Sequence, residues 1–172
     1  MDFQLTEEQK IFKQTVHDFA DSRIAPTVDF WEKGDLSLAP KNLVQEYRDL
    51  GLLGITLPEQ YGGQGLPAIF AILAMEELAR ITTRASGLVM ESSLGPIRAV
   101  EKFGTEEQKK RFIPSCARGE KFMSVGMTEP NAGSALTDLT TRAELKGDHY
   151  ILNGQKRFIS GGGHSDWYMV YV

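Results

Sequence analysis

The sequence predicts an α+β protein, with an N-terminal all-α helical bundle followed by an antiparallel β-sheet or barrel domain that is incomplete in this chain. Apolar residues recur at helical spacing as far as residue 115, whereas short apolar runs between glycine turns follow residue 120. We therefore place a helical domain at residues 1–119 and the beginning of a β-domain at residues 120–172. Because the run 168–172 is apolar to its end, we expect a fragment, or a chain that another chain completes.

The composition is that of a globular protein, since 41% of the 172 residues are hydrophobic. The net charge of −4 gives no basic surface for nucleic acid or anionic membranes. The longest apolar run, 68–75, is too short to cross a bilayer. Cys116 is the only cysteine, and no signal sequence is recognisable. We expect a bacterial-type cytoplasmic protein with no nucleic-acid partner and no membrane insertion.

The first two helices are indicated by their end signals. Thr6–Gln9 is a capping-box pattern, and we expect the helix that it begins to end near Pro26. An irregular stretch around residues 31–34 should follow. A second helix is predicted over residues 43–50, with Gly51 as the residue that ends it.

A glycine-rich loop, residues 58–65, leads to a third helix that begins at Pro67. Residues 63–68 match the GxGxxA form of a dinucleotide-binding fingerprint. A parallel strand should follow such a fingerprint, but another helical pattern follows here, so we interpret the loop as a helix connection. The third helix carries apolar residues around much of its circumference, and we expect it to be the most buried.

A helical pattern over residues 87–103 is interrupted at Gly95-Pro96, because proline removes a helical hydrogen bond. A kink there would expose Ser92, Ser93 and Leu94, which could line a ligand cavity. The alternative is an ordinary helix boundary with incidental hydroxyls.

The helical part should end with one more helix, which begins at the capping-box pattern Thr105–Gln108 and runs to Pro114. Gly119 should close it. Beyond this glycine, short extended runs favour an antiparallel sheet or barrel over βαβ units. The runs cover residues 122–127, 142–145, 150–152, 157–160 and 167–172. Gly147-Asp148 suits a tight hairpin turn.

Four sequence motifs occur in an order and spacing that resemble the acyl-CoA dehydrogenase family over essentially the whole chain. They are Leu-Pro-Glu-Gln-Tyr-Gly-Gly at 57–63, Phe-Gly-Thr-Glu-Glu-Gln at 103–108, Thr-Glu-Pro-Asn-Ala-Gly-Ser at 128–134 and Asn-Gly-Gln-Lys-Arg-Phe-Ile-Ser-Gly at 153–161. The last two carry turn residues between apolar runs, where a rigid backbone can offer hydroxyls and N–H groups to a cofactor.

This resemblance implies a helical N-terminal domain, a middle β-domain and a C-terminal four-helix domain that is absent from this chain. FAD would lie between the β-domain and that absent domain, and a neighbouring subunit would complete the site in a homo-oligomer, a dimer or a homotetramer. The flavin contacts implied by the resemblance are Val125, Met127, Thr128, Phe158, Ile159 and Ser160. Thr128 would donate a hydrogen bond to the pyrimidine side of the flavin ring.

The resemblance also implies substrate contacts. Ser134 would contact the CoA portion, and Ser92, Ser93 and Leu94 would border the acyl cavity. The implied reaction is α,β-dehydrogenation of an acyl-CoA to a trans-2-enoyl-CoA, with electrons passed to an electron-transfer flavoprotein. Its base is a glutamate of the C-terminal domain in most members, so no catalytic residue is assigned to this chain.

Three positions depart from the family pattern. Asn131 replaces a glycine, Ala135 replaces an aspartate, and Phe158 stands where many members have tryptophan. Asparagine tolerates the left-handed conformation, so the turn can survive. Phe158 keeps an aromatic face but loses an indole N–H. With the following Ile-Ser-Gly it resembles the short-chain or branched-chain members of the family.

Other interpretations of the charged residues have less support. Glu129 precedes a proline within a turn, and we interpret it as a structural partner, not a base. The three histidines lack metal-ligand spacing, so no metal site is predicted. Two alternatives for function stay open: a catalytically silent binding or assembly subunit of the same fold, and a related flavin oxidase or monooxygenase.

Overall fold

The computed structural model describes residues 4–33 and 42–172. It divides the chain into two compact units, Met1–Glu120 and Lys121–Val172, which we call the helical unit and the β unit. The predicted fold class is confirmed, since helices build the first unit and short strands build the second. None of the helices in the described ranges has the length and hydrophobicity of a membrane span.

The helical unit contains α1 (Glu7–Phe19), α2 (Val28–Lys33), α3 (Leu43–Asp49), α4 (Ala68–Ala79), α5 (Thr83–Ser93), α6 (Ile97–Phe103) and α7 (Glu106–Ala117). Both predicted capping boxes are formed, at Thr6 before α1 and at Thr105 before α7. In each, the threonine hydroxyl accepts from the N–H of a glutamine whose side chain accepts from the threonine N–H. Local hydrogen bonds therefore decide where these two helices begin.

Two helices end in the left-handed glycine that the sequence predicts. Gly51 has φ +68° after α3, and the N–H of Leu52 donates to the carbonyl of Tyr47 at 2.8 Å. Gly119 has φ +64° and ends α7 in the same way. At the end of each helix, such a hydrogen bond satisfies a backbone carbonyl that would otherwise have no partner.

The core of the helical unit lies between α1, α3, α4 and α5. The rings of Phe12 and Phe70 pack edge to face with centroids 5.2 Å apart. Tyr47 is fully buried, its hydroxyl donates to the carbonyl of Ala85 at 3.0 Å, and burial raises its pKa. The third predicted helix, α4, buries six of its twelve residues. Ile69 and Ile72 lie on its exposed side.

Prolines end fewer helices than expected. The chain stays helical past Pro26, through a π turn (Ala20–Ile24) and a 3₁₀ turn (Ala25–Thr27), as far as Lys33. Pro26 is in the first turn of the 3₁₀ segment, where a missing N–H costs little. Trp31 is therefore helical, while Gly34 lies outside the described residues.

The last helix, α7, also runs through a proline, because it continues past Pro114 to Ala117. The side chains of Ile113 and Cys116 are buried on this turn, which favours its continuation. The loop 58–65 contains a 3₁₀ segment (Glu59–Tyr61) and leads to α4, and α5 follows α4. The interpretation of the GxGxxA match as a helix connection is confirmed.

The β unit contains β1 (Met123–Gly126), β2 (Arg142–Lys146), β3 (His149–Asn153) and β4 (Trp167–Val170). Strands β2 and β3 form the expected antiparallel hairpin. In its two-residue turn Gly147 has φ +67°, while Asp148 has a negative φ, as in a type II′ turn.

Two details of the β unit differ from the expectation. β1 and β4 pair in parallel, with Met123 opposite Trp167. Residues 157–160 form no strand. Phe158 has φ +55°, which is incompatible with an extended backbone, and Ile159 accepts a turn hydrogen bond from Gly162 at 2.9 Å.

The left-handed glycine after α7 can be tested by adding a methyl group. A Cβ at Gly119 would lie 2.6 Å from Leu53 Cδ1 and 2.9 Å from Val44 Cγ1, in a backbone conformation that alanine resists. We expect Gly119→Ala to lower the free energy of unfolding by about 2 kcal/mol. Denaturant unfolding of the purified protein measures this.

The matched control is Gly87→Ala, on α5, where no atom of the described residues outside the helix's own backbone and the chain neighbours lies within 4 Å of the added methyl group. Alanine is the better helix former, so this variant should gain about 0.5–1 kcal/mol. Equal destabilisation by both substitutions would contradict the assignment.

Candidate cofactor site

The β unit brings the two predicted cofactor segments into contact. The backbone N–H of Arg157 donates to the carbonyl of Thr128 at 2.9 Å. The ammonium of Lys156 donates to the carbonyl of Met127 at 3.0 Å and to Glu129 Oε1 at 2.9 Å. Residues 127–129, which follow β1, are thus bound to residues 156–157, which follow β3.

This contact depends on the carboxylate of Glu129. Its side chain is 3% exposed. The carboxylate accepts hydrogen bonds from the N–H and hydroxyl of Thr140, both at 2.7 Å, from the N–H of Thr141 at 2.9 Å and from the Thr141 hydroxyl. With Lys156, these donors saturate both carboxylate oxygens.

The donors around Glu129 also decide its protonation. The Thr141 hydroxyl, followed by Lys156 and the Thr140 N–H, holds the pKa of Glu129 well below its usual range, although desolvation acts in the opposite direction. A carboxylate with such a low pKa is a poor proton acceptor near neutral pH. These hydrogen bonds agree with the interpretation of Glu129 as a structural partner, which stays a prediction.

A tight turn follows Glu129. The N–H of Glu129 donates to the carbonyl of Ala132 at 2.9 Å, and the N–H of Ala132 donates back at 3.3 Å. Among the described non-glycine residues only Asn42 and Phe158 have positive φ. Asn131 therefore does not use the left-handed conformation that it could have adopted, and its replacement of a glycine leaves this turn unstrained.

A glycine turn at residues 160–164 closes on β1 and β4. The buried hydroxyl of Ser124 donates to the carbonyl of Ser160 at 2.5 Å and lies 2.6 Å from the hydroxyl of Ser165. Gly161 has φ +75°, and a Cβ there would lie 2.5 Å from the Ser124 hydroxyl oxygen. The hydroxyl of Tyr168 donates to the Gly161 carbonyl at 3.1 Å. A side chain at position 161 would disrupt this contact.

Phe158 presents its ring to solvent. It is 79% exposed and has φ +55°, a conformation that bulky residues rarely adopt. The guanidinium carbon of Arg157 lies 4.1 Å from the ring centroid. Strained backbone of this kind clusters at ligand-binding sites.

All six residues with a predicted flavin contact lie in these connected segments of the β unit. Phe158 and Ser160 are exposed, and the others are partly exposed. Within the part of the chain that the structure describes, the hydroxyls of Thr128, Ser134 and Ser160 take part in no hydrogen bond. The segments therefore offer free hydroxyls and an aromatic face, which fits a planar cofactor with polar edges.

The predicted substrate contacts of the helical unit have different surroundings. The helix break after α5 is present, but Ser92 is 2% exposed and Ser93 is fully buried. Their hydroxyls accept from the N–H groups of Gly54 at 3.3 Å and Ile55 at 3.0 Å. The expectation that the kink exposes these serines is wrong, because the neighbouring segment needs their hydroxyls as acceptors. Leu94 is half-buried.

Sequence reasoning missed the residues that connect the two segments, namely Lys156, Thr140, Thr141 and Ser124. The only signal in the sequence was an opposite charge in each motif, at Glu129 and Lys156. No group of three or more His, Cys, Asp or Glu residues in the described ranges is placed to hold a metal ion.

Two family models match the chain. The model described as "Acyl-CoA dehydrogenase, N-terminal domain" matches residues 6–120, and "Acyl-CoA dehydrogenase, middle domain" matches residues 124–172. Together they cover both units.

Three proteins with similar sequences or structures are each longer than this chain. Isobutyryl-CoA dehydrogenase of Dictyostelium discoideum is 41% identical over 98% of this chain and 40% of its own length. The 3-sulfinopropanoyl-CoA desulfinase of Variovorax paradoxus is 36% identical over 99% of this chain and 42% of its own length. The structure of a Mycobacterium smegmatis glutaryl-CoA dehydrogenase in complex with FADH2 has a TM-score of 0.87 at 32% identity. The match covers 96% of this chain and 42% of that protein. The chain thus spans under half of each.

The low pKa of Glu129 predicts a pH dependence for Glu129→Gln. A depressed carboxylate pKa contributes stability above the ordinary glutamate pKa of about 4.3. This contribution is lost as the pH falls from that value through the folded-state pKa. The melting temperature should therefore be lower in the variant than in the wild type at neutral pH, and the difference should shrink below about pH 4.3.

The control is Glu144→Gln, which removes a carboxylate of β2 that is 62% exposed. Its melting temperature should differ little from that of the wild type across the same range, because exposed ion pairs contribute little. A Glu129→Gln difference that stays constant with pH would argue against an ionised, hydrogen-bonded carboxylate.

Proposed function

Because this chain belongs to the acyl-CoA dehydrogenase family, we propose that its protein is an FAD-dependent acyl-CoA dehydrogenase that oxidises a short-chain or branched acyl-CoA to the trans-2-enoyl-CoA. The observation that carries the proposal is the contact between residues 127–129 and 156–157, which joins the two cofactor motifs beside an exposed aromatic ring. The isobutyryl-CoA dehydrogenase similarity supports a short or branched acyl group.

The residues of the β unit have separate roles in this proposal. Thr128 donates its free hydroxyl to the pyrimidine side of the flavin, where negative charge gathers on reduction. Val125, Met127, Ile159 and Ser160 line the ring, and Phe158 packs against it. When bound, FAD supplies the acceptor for the hydride that leaves the β carbon. The base that takes the α proton is not assigned to any residue of this chain.

The substrate contacts are proposed with one change. Ser134 is exposed and its hydroxyl can donate to the CoA portion. Leu94 borders the acyl cavity. Ser92 and Ser93 act on that cavity indirectly, because their hydroxyls hold the backbone of Gly54 and Ile55.

The domain assignment and the partners are also proposals. We place the boundary between the helical domain and the middle β-domain near residue 120, and the remaining domain outside this chain. An electron-transfer flavoprotein is the proposed electron acceptor. A homo-oligomer, dimeric or tetrameric, in a bacterial-type cytoplasm is the proposed assembly and location. The family relationship supports each of these statements.

A second candidate has support from one similarity. The Variovorax protein with 36% identity is named as a 3-sulfinopropanoyl-CoA desulfinase, so a relative of this chain acts on a CoA thioester that carries a sulfinate. The same motifs would then bind flavin and CoA, while the reaction at the acyl chain would differ.

The test of the proposed reaction uses the intact, flavin-loaded protein without oxygen. Isobutyryl-CoA or butyryl-CoA should bleach the yellow colour of the flavin and yield the 2-enoyl-CoA, since the two electrons have no other acceptor. Release of sulfite from 3-sulfinopropanoyl-CoA, without bleaching by either saturated thioester, would favour the desulfinase. Turnover that requires oxygen would favour an oxidase or monooxygenase, and an unreactive flavin would favour a silent subunit.

The role of Thr128 predicts the effect of Thr128→Val, which keeps the side-chain shape and removes the donor. The flavin should be reduced by acyl-CoA roughly a hundredfold more slowly, as for a lost donor at a developing charge. Its reduction potential should also fall. Rapid-mixing absorbance and potentiometric titration measure the two effects.

Thr137→Val is the matched control, because Thr137 is exposed in the same unit and its hydroxyl, among the residues that the structure describes, hydrogen-bonds with the neighbouring Asp138 alone. It should leave both quantities unchanged. A wild-type potential in the Thr128 variant would contradict the proposed hydrogen bond.

A further inference from the structure

The side chain of Lys156 follows the first cofactor segment along three residues. A Cβ at Gly126 would lie 3.5 Å from Lys156 Cγ, so the aliphatic stem crosses over this glycine. The ammonium then reaches the carbonyl of Met127 at 3.0 Å and Glu129 Oε1 at 2.9 Å. Only 12% of the Lys156 side chain is exposed. Lys156 is therefore a largely buried cation with two oriented acceptors.

The residue after Lys156 extends the attachment through its backbone. The N–H of Arg157 donates to the carbonyl of Thr128 at 2.9 Å. Successive residues of the second segment thus bind successive carbonyls of the first. The next residue is Phe158, where the backbone turns to φ +55°.

The strain at Phe158 needs a source of compensation. A positive φ is unfavourable for a phenylalanine, because its Cβ approaches the backbone. Burial of the ring cannot compensate, since the residue is 79% exposed. The compensation must come from hydrogen bonds of the residues on either side of Phe158. The two residues before it bind the first cofactor segment. The turn after it accepts a hydrogen bond from the Ser124 hydroxyl.

We propose that Lys156 is a positioning residue, which acts through the Met127 carbonyl and the Glu129 carboxylate to hold Phe158 in its left-handed, ring-exposed conformation. The statement that the exposed ring contacts the flavin rests on the proposed function. The statement that Lys156 holds the conformation of Phe158 concerns this chain alone. Glu129 makes the attachment rigid, because Thr140 and Thr141 also donate hydrogen bonds to its carboxylate and hold it in place.

The substitution that tests this role is Lys156→Met, which keeps most of the stem and removes the charge and its donors. Lys156→Arg retains the charge and should preserve part of the effect. Lys121→Met is the matched control, because Lys121 pairs with Asp166 in the same unit, at an exposed site. Lys121 contacts neither cofactor segment in the described ranges.

The probe is a single 4-fluorophenylalanine at position 158 of the intact protein with its flavin removed, observed by fluorine NMR. In the wild type the guanidinium of Arg157 lies on the ring, so its resonance should be displaced from that of the free amino acid. In Lys156→Met the resonance should move toward the free amino-acid position. It should stay unchanged in Lys121→Met.

Amide hydrogen exchange gives a second measurement on the same proteins. The N–H of Arg157 should exchange about tenfold faster in Lys156→Met, because local opening exposes it more often. Unchanged fluorine resonance and unchanged exchange would overturn the proposal. If Lys156→Met does not fold, Glu129→Gln replaces it, since loss of the anion should displace the resonance in the same direction. An unmoved resonance in that variant overturns the proposal equally.

Addition of FAD separates this inference from the proposed function. Flavin binding to the wild-type chain should shift the fluorine resonance at position 158. If Lys156→Met moves the resonance but FAD does not, Lys156 positions Phe158 and the flavin contact of Phe158 is wrong. If FAD moves the resonance and Lys156→Met leaves it unchanged, the flavin contact stands and the positioning role is wrong.

Discussion

The arrangement of the β unit depends on one electrostatic requirement: the buried carboxylate of Glu129 must be stabilised by hydrogen-bond donors and a cation. A buried carboxylate is costly unless donors and a cation surround it. The donors come from two separate segments of the chain, one with Thr140 and Thr141 and one with Lys156. Satisfying one anion therefore brings the segments after β1 and β3 together. The cofactor site that we propose is a consequence of this closure.

A second buried carboxylate joins two helices of the helical unit. Glu77 of α4 is 7% exposed and contacts His17 of α1 at 2.8 Å and Lys13 at 3.4 Å. Burial acts to raise its pKa, but the hydrogen bonds from His17 and Lys13 hold that pKa below the ordinary value. Each unit thus uses a paired anion to define how non-adjacent segments meet, which apolar packing alone does less specifically.

The proposed site places strained or conformationally special residues where the ligand would bind. Gly161 has no room for a side chain beside Ser124, and Phe158 keeps an unfavourable φ while its ring remains exposed. Such geometry persists only where neighbouring hydrogen bonds hold it. The contacts of Lys156 and Arg157 provide them on one side, and the turn after Ile159 provides them on the other.

The sequence by itself determined the α+β class, the helix ends at Thr6, Thr105, Gly51 and Gly119, and the hairpin turn at Gly147. These features depend on hydrogen bonds and φ angles within a few residues, so the local sequence contains the whole cause. It also located the two cofactor motifs by resemblance. Only the tertiary structure decided the parallel pairing of β1 with β4, the burial of Ser92 and Ser93, and the attachment of Lys156 to Glu129. Each of these requires a partner from a distant part of the chain, which no local pattern specifies.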